Sequence, residues 1–285
     1  MPTPAAAWTA AAGLGLTVTG SCATVTFHPS TEKQRTEKQP AGNRPPGNQP
    51  PGEQPASDQP VTDDLAAAAR LPSVAAALAA VGRALPGDIR VVVLRGDIWS
   101  ALSTPDRAAL DGADLTTDAV ERRVAEWQAG FTWLSARADL VSVAVVAGPA
   151  SGAGLQLALS CDLRVLTEDA VLSLPEASLG LVPGLGVSAT LVALVGYPTA
   201  LDLCLTGRGL TAAEARAVGV AQRVVPRASL DAAVDDLVAA LLAAPRAAAA
   251  ETKALLRAAA GRGRDTGSVA ERAALARCLA DHPAG

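Results

Sequence analysis

Histidine and aromatic residues are scarce in this chain. Its two histidines are His28 and His282, and aromatics make up 2% of the residues. The four cysteines, Cys22, Cys161, Cys204 and Cys278, are scattered, and none forms a C-x-x-C pair. No zinc-type ligand cluster is therefore visible, and no metal is expected. The cysteine usage suits reduced, mostly buried thiols in a cytoplasmic protein. Positive charge is not in excess: the formal net charge is −4. That balance argues against nucleic acid as the main partner, though it leaves room for a local basic patch. No apolar run is long and uninterrupted enough to read as a membrane span, so no membrane partner is expected. The start, MPTPAAAWTAAAGLGLTVTGSCA, is small and apolar but has no positive n-region or long leucine-rich centre. It does not read as a signal peptide.

What the chain has in quantity is aliphatic residues. Of its 285 residues 49% are hydrophobic, much of that alanine. A large core is available, helix propensity is high, and one domain of about 200 residues with appendages is the expectation. Alternation in Leu16 to Phe27 predicts two short strands turning at Gly20-Ser21. Thr31 to Pro60 is different. It repeats TEKQ and PPG[NE]Q, lacks large apolar residues and predicts an extended, disordered insertion. Asp63 to Ala84 predicts helix interrupted near Pro72, with Ser73 as a cap for the second part. IRVVVL, Ile89 to Leu94, and Val141 to Ala147 predict buried strands. Pro105 to Ala136 predicts a mainly helical stretch whose Trp127, Phe131 and Leu134 share one face. Helices are also expected over Ser188 to Val195, Thr199 to Leu205, Leu230 to Ala243 and Arg246 to Ala260. Another is expected from Thr211, with Glu214 completing a capping box.

Chemistry concentrates in SGAGLQLALSCDLRVLTEDAVLSLPEASLGLVPGLGVS, Ser151 to Ser188. The small-residue turn Gly152-Ala153-Gly154 feeds a helix, and backbone N–H groups at a helix start can hold an anion or a developing oxyanion. Glu176 is a lone carboxylate among Leu172, Leu174 and Leu179, twenty residues after Gln156. Burial there would raise its pKa towards the range useful for proton transfer.

This run, extended back to VSVAVVAGPA, resembles the core of the crotonase superfamily, the enoyl-CoA hydratases and isomerases. The family pattern is G-x-x-x-G-G-G-x-E-L-A-x-x-C-D-[IL]-R followed by P-E-x-x-x-G-[IL]-x-P-G-x-G. The resemblance implies an α/β, crotonase-like (ClpP/crotonase) fold of repeated ββα units with a C-terminal helical trimerisation region. Residues 1–30 would supply an N-terminal hairpin, 31–60 the insertion, 61–226 the core and 227–285 the C-terminal helices. It also implies an acyl-CoA thioester as substrate, with CoA part of the substrate and no separate cofactor, and a homotrimer or hexamer.

Residue by residue, the resemblance places the oxyanion-hole N–H donors at Ser103 and Ala153. Trp99, Ala101, Gly152, Gly154, Pro183 and Gly184 would line the substrate site. Leu102 stands where the family has Gly, a poor fit if that turn needs positive φ. The family's two glutamates align with Gln156 and Glu176. An amide can hold water but cannot take its proton, so one base remains. That favours double-bond isomerisation, with Glu176 taking a proton from C2 and returning it at C4. Hydratase-like activity in a specialised pathway and non-catalytic acyl-CoA binding stay open, as does Gln156 as a polar pocket residue or a relic. Lys33, Arg35 and Lys38 can either help cover CoA or belong to a solvated tether. Asp162 and Cys161 read as structural, and Lys253 reads as part of a solvated helix face.

Overall fold

Alternating residues in the first described segment build a hairpin. Leu14–Thr19 (β1) and Cys22–Phe27 (β2) pair antiparallel around Gly20, whose φ of 55° suits a tight turn. The structure, a computed structural model, describes residues 13–28, 70–102 and 117–260. The Pro/Gln-rich insertion, Ser103 and Cys278 lie outside the described residues.

The hairpin is the edge of a six-stranded sheet ordered β1-β2-β3-β4-β6-β9. Its other strands are Val91–Gly96 (β3), Val141–Val146 (β4), Leu163–Thr167 (β6) and Arg223–Val225 (β9). From β2 onward all pairings are parallel. The continuous apolar runs make sense because the sheet is covered on both faces. Val92, Leu94, Ala144, Val146 and Leu166 enter the main core. Val91, Val93, Val143, Val145 and Val165 pack on the opposite face against Leu230, Val234 and Leu237. Those three belong to helix Leu230–Ala243, which therefore covers that face of the sheet.

A three-stranded sheet runs alongside, built from Ala150–Ser151 (β5), Val171–Ser173 (β7) and Leu210–Thr211 (β8). The chain gives one strand to each sheet and then a helix. β4 and β5 lead to Ala153–Ser160, and β6 and β7 lead to the 3-10 turn Glu176–Leu179 and helices beyond it. This is the ββα repeat that the resemblance implies.

The helices, in order, are Arg70–Ala84 (α1), Thr117–Ala136 (α2), Ala153–Ser160 (α3), Ser188–Val195 (α4), Tyr197–Thr206 (α5), Ala212–Ala217 (α6), Leu230–Ala243 (α7) and Arg246–Ala260 (α8). Helix α1 runs through Pro72 without interruption, so Ser73 is no cap. Proline in a first turn removes an N–H that has no helical partner anyway. Helix α5 starts two residues before the expectation, with Pro198 in its first turn for the same reason. The Thr211/Glu214 capping box is present on α6. Trp127, Phe131 and Leu134 are all buried in the main core.

Two helix contacts fix the scaffold. A Cβ on Gly130 of α2 would lie 2.4 Å from the Ala75 carbonyl oxygen of α1, so only glycine allows this approach. Lys253 of α8 is not on a solvated face, which corrects the expectation. Its Nζ is buried and lies 2.7 Å from both the Leu140 carbonyl and Asp162 Oδ2. Amphipathic spacing marks which face turns inward, but not that a lysine there finds a carboxylate.

Gly130→Ala is expected to cost about 1–3 kcal/mol by urea denaturation. Alanine in an unconstrained helix would instead gain about 1 kcal/mol, so a stabilised variant would refute the close approach. Lys253→Met leaves Asp162 without its cation and is expected to cost about 3 kcal/mol. A loss below about 0.5 kcal/mol would be that of an ordinary surface lysine.

Candidate active site

Helix α3 carries the site, and all eight of its residues are buried. It starts from Gly152, whose φ of 53° and ψ of −127° are open to glycine but not to residues with a Cβ. The turn is held by Gly152 N donating to Ser173 O at 3.1 Å. Gly154 is needed for a different reason: a Cβ there would sit 2.0 Å from the Trp99 carbonyl oxygen. No non-glycine described residue has positive φ, so Ala153 takes its place between the two glycines without strain.

The segment after β3 docks onto this helix start. Trp99 Nε1 donates to Val145 O at 2.8 Å, and its ring meets Phe27 edge-on at 6.3 Å between centroids. Trp99 O then accepts Ser151 N at 3.0 Å, and Leu102 O accepts Gly154 N at 3.1 Å. Trp99 and Leu102 are thus brought against Gly152, Ala153 and Gly154, with Ala101 half-buried between them. Leu102 needs no positive φ and is fully buried as a core residue, which resolves the conflict raised by the missing glycine. Ser103, the other expected donor, lies outside the described residues. Among the described residues, no backbone acceptor outside regular structure takes the Ala153 N–H.

Gln156 lies three residues beyond Ala153, on the same side of α3. Its Nε2 donates to Glu176 Oε1 at 2.7 Å, and its Oε1 accepts the Leu185 N–H at 2.9 Å. A backbone N–H can only donate, so the amide orientation is fixed: the oxygen faces Leu185 and the nitrogen faces Glu176. Glu176 is fully buried at the start of the 3-10 turn. Of the leucines expected around it, Leu172 and Leu174 are buried, but Leu179 is 62% exposed and does not enclose it. Burial, and then the negative charge of Glu176, hold the Cys204 thiol on α5 above the usual range.

Pro183 and Gly184 are half-buried in the turn leading to α4. The Gly184 carbonyl accepts from Gln128 Nε2 of α2 at 2.7 Å. Sequence reasoning singled out neither Gln128 nor the Leu185 N–H. A backbone donor has no sequence signature, and Gln128 is one polar residue on a long helix.

The far end of α3 is scaffold. Arg164 is almost fully buried and donates to Ala158 O at 3.2 Å, Cys161 O at 2.8 Å and Val220 O at 2.5 Å. A cation there complements the helix dipole. Asp162 Oδ2 accepts the Ser142 N–H at 2.8 Å besides Lys253 Nζ. Burial pushes the Cys161 thiol up to about 12, so it is a core residue and not a nucleophile. Among the described residues, no group of three His, Cys, Asp or Glu could hold a metal. Nor is any described helix long and apolar enough to cross a membrane.

Chemically, the arrangement offers the Ala153 N–H at a buried helix start and a buried carboxylate tied to that helix by an amide. A carboxylate can take and return a proton; the amide cannot.

Comparison with known proteins converges on one family. The family model for enoyl-CoA hydratase/isomerase matches residues 87–282. YngF of Bacillus subtilis, named as an enoyl-CoA hydratase/isomerase, is 38% identical over 162 residues, covering 55% of this chain and 59% of that protein. A fatty acid oxidation complex subunit alpha of Vibrio cholerae is 51% identical over 90 residues, covering 31% of this chain and 13% of the subunit. The chain therefore spans less than two thirds of these curated relatives. A Thermobifida fusca protein named as an enoyl-CoA hydratase, solved with acetoacetyl-CoA, superposes with a TM-score of 0.77 at 38% identity, covering 98% of this chain and 100% of that one. With the ββα repeat, the glycine-built helix start and these matches in hand, the chain belongs to the enoyl-CoA hydratase/isomerase family.

Proposed function

We propose that the chain binds an acyl-CoA thioester and shifts a double bond along its acyl tail, with Glu176 as the base. The observation that carries this reading is the Gln156–Glu176 contact of 2.7 Å with Gln156 Oε1 already engaged by Leu185 N–H. The thioester oxygen lies at the start of α3, where the Ala153 N–H receives it. Each such donor is worth about 2.7–4 kcal/mol to the barrier when charge develops on the oxygen. Glu176 removes a proton from C2 of a 3-enoyl-CoA. The resulting dienolate is held by that N–H, and the same proton returns at C4 to leave the 2-enoyl product. Trp99, Ala101, Gly152, Gly154, Pro183 and Gly184 line the bound thioester. The ligands of the Thermobifida structures, acetoacetyl-CoA and CoA, support the substrate class.

Hydration is disfavoured because an amide stands at position 156 and cannot take a proton from water. A second reading, thioester binding without turnover, is favoured by that same amide in place of a base. The surface near the site suits further copies of this chain: Leu179, Val182, Tyr197 and Leu205 are all more than half exposed. Covering them in a homotrimer or hexamer would remove this apolar surface from water.

Purified protein is expected to convert 3-enoyl-CoA to 2-enoyl-CoA, followed by the absorbance of the conjugated thioester. Glu176→Gln should lower that rate by about 10²–10⁴-fold while CoA-ester affinity stays within a few-fold. Binding with no turnover of any ester by wild type would leave the binder reading. Gln156→Glu brings two carboxylates into contact, which then share a proton. It is expected to slow isomerisation and to introduce measurable hydration of 2-enoyl-CoA. Equal hydration by wild type would show that the amide does not withhold that reaction.

A further inference from the structure

We infer that Gln128 on α2 is a positioning residue for Glu176, acting through a single peptide group and the Gln156 amide; this rests on the reading of Glu176 as the base. Gln128 Nε2 donates to the Gly184 carbonyl oxygen at 2.7 Å. The Leu185 N–H donates to Gln156 Oε1 at 2.9 Å. The Gly184 carbonyl and the Leu185 N–H are two ends of one peptide bond, so the two hydrogen bonds are in series. Gln156 Nε2 then donates to Glu176 Oε1 at 2.7 Å.

The direction of this chain is not a matter of choice. A carbonyl oxygen only accepts, so Gln128 must present its NH₂ to Gly184. The Leu185 N–H only donates, so Gln156 must present its oxygen there and its NH₂ to the carboxylate. Three amides in a row therefore each donate into the next and end on Glu176. Hydrogen bonds in such a series polarise one another, and a low-dielectric interior strengthens them. The same series fixes where Oε1 of Glu176 sits, because each link has one geometry.

The origin of the chain is rigid. Gly130, two residues from Gln128, lets α2 press onto the backbone of α1. One turn beyond Gln128, Thr132 Cγ2 lies 3.3 Å from where a Cβ on Gly186 would be, so α2 also runs close beside the 183–186 turn there. Helix α2 thus lies along that turn, and the peptide between Gly184 and Leu185 is hydrogen-bonded at both of its ends. Neither contact places Gln128 on substrate. Its effect is on the placement of the base.

Three variants separate a donor from a filler. Gln128→Glu keeps the shape but loses the donor, Gln128→Met loses it without adding charge, and Gln128→Lys keeps a group that can donate to Gly184 O. With 3-enoyl-CoA as probe, the Glu and Met variants are expected to lose about ten- to a hundred-fold in kcat with KM within about twofold. The Lys variant should stay near wild type, and all three should melt close to wild type. Wild-type kcat in all three variants, or a loss in the Lys variant as deep as in the Glu variant, would overturn the proposal. If wild type does not turn over 3-enoyl-CoA, the isomerase reading fails, and a crystal structure of Gln128→Met decides the present one. A displaced Gln156 amide supports it; an unmoved 184–185 peptide with the Gln156–Glu176 contact intact overturns it.

Discussion

A carboxylate with no exposed surface has to be held by hydrogen bonds, and that requirement organises this molecule. Burying a polar group without a partner costs several kcal/mol, and a charge costs more. Glu176 is fully buried, and one group that reaches it comes from a different secondary-structure element, the Gln156 amide of α3. That amide is itself buried and must be satisfied at its other end, which the Leu185 N–H does. The turn that supplies Leu185 is in turn gripped by α2. One buried acid thus dictates how three separate parts of the chain meet.

Helix α3 makes this affordable because its two ends are treated differently. Its N-terminus opens through glycines onto the segment after β3, and the Gly154 N–H is satisfied by Leu102 O. Its C-terminus is closed by the Arg164 guanidinium, which donates to the Ala158 and Cys161 carbonyls at that end. Burial lowers the Arg164 pKa, yet the lining of carbonyl oxygens suits a cation better than a neutral side chain. Beyond it, Asp162 links α3 to α8 through Lys253. Helix α8 is therefore tied to the segment that follows α3.

Much of this was legible in the sequence, and the exceptions share a cause. The hairpin, α4, α7 and α8 followed from turn residues, caps and periodicity, which are local. The ββα repeat and the glycine-built start of α3 followed from the long motif around Gly152 and Glu176. Pro72 and Pro198 misplaced helix boundaries because a proline reads as a break, while a first turn has no hydrogen bond for it to lose. Lys253, the exposure of Leu179 and the geometry of Leu102 were not legible, since each is decided by what a distant segment places opposite it. The orientation of Gln156 is the clearest case. It depends on a main-chain N–H 29 residues away, and no side chain announces it.

That orientation bears on which chemistry such a scaffold can support. Two carboxylates in hydrogen-bond contact inside an apolar pocket compete for one proton, and their titration belongs to the pair. An enzyme that needs one acid and one base can use that coupling. With Gln156 at one of the two positions the competition is gone, because an amide neither takes nor gives a proton at neutral pH. What remains is a fixed donor beside a single carboxylate, 2.7 Å away. A site of that kind is poorly equipped to take a proton from water, and this is the chemical ground for the proposed transfer of one proton between two carbons of the same substrate.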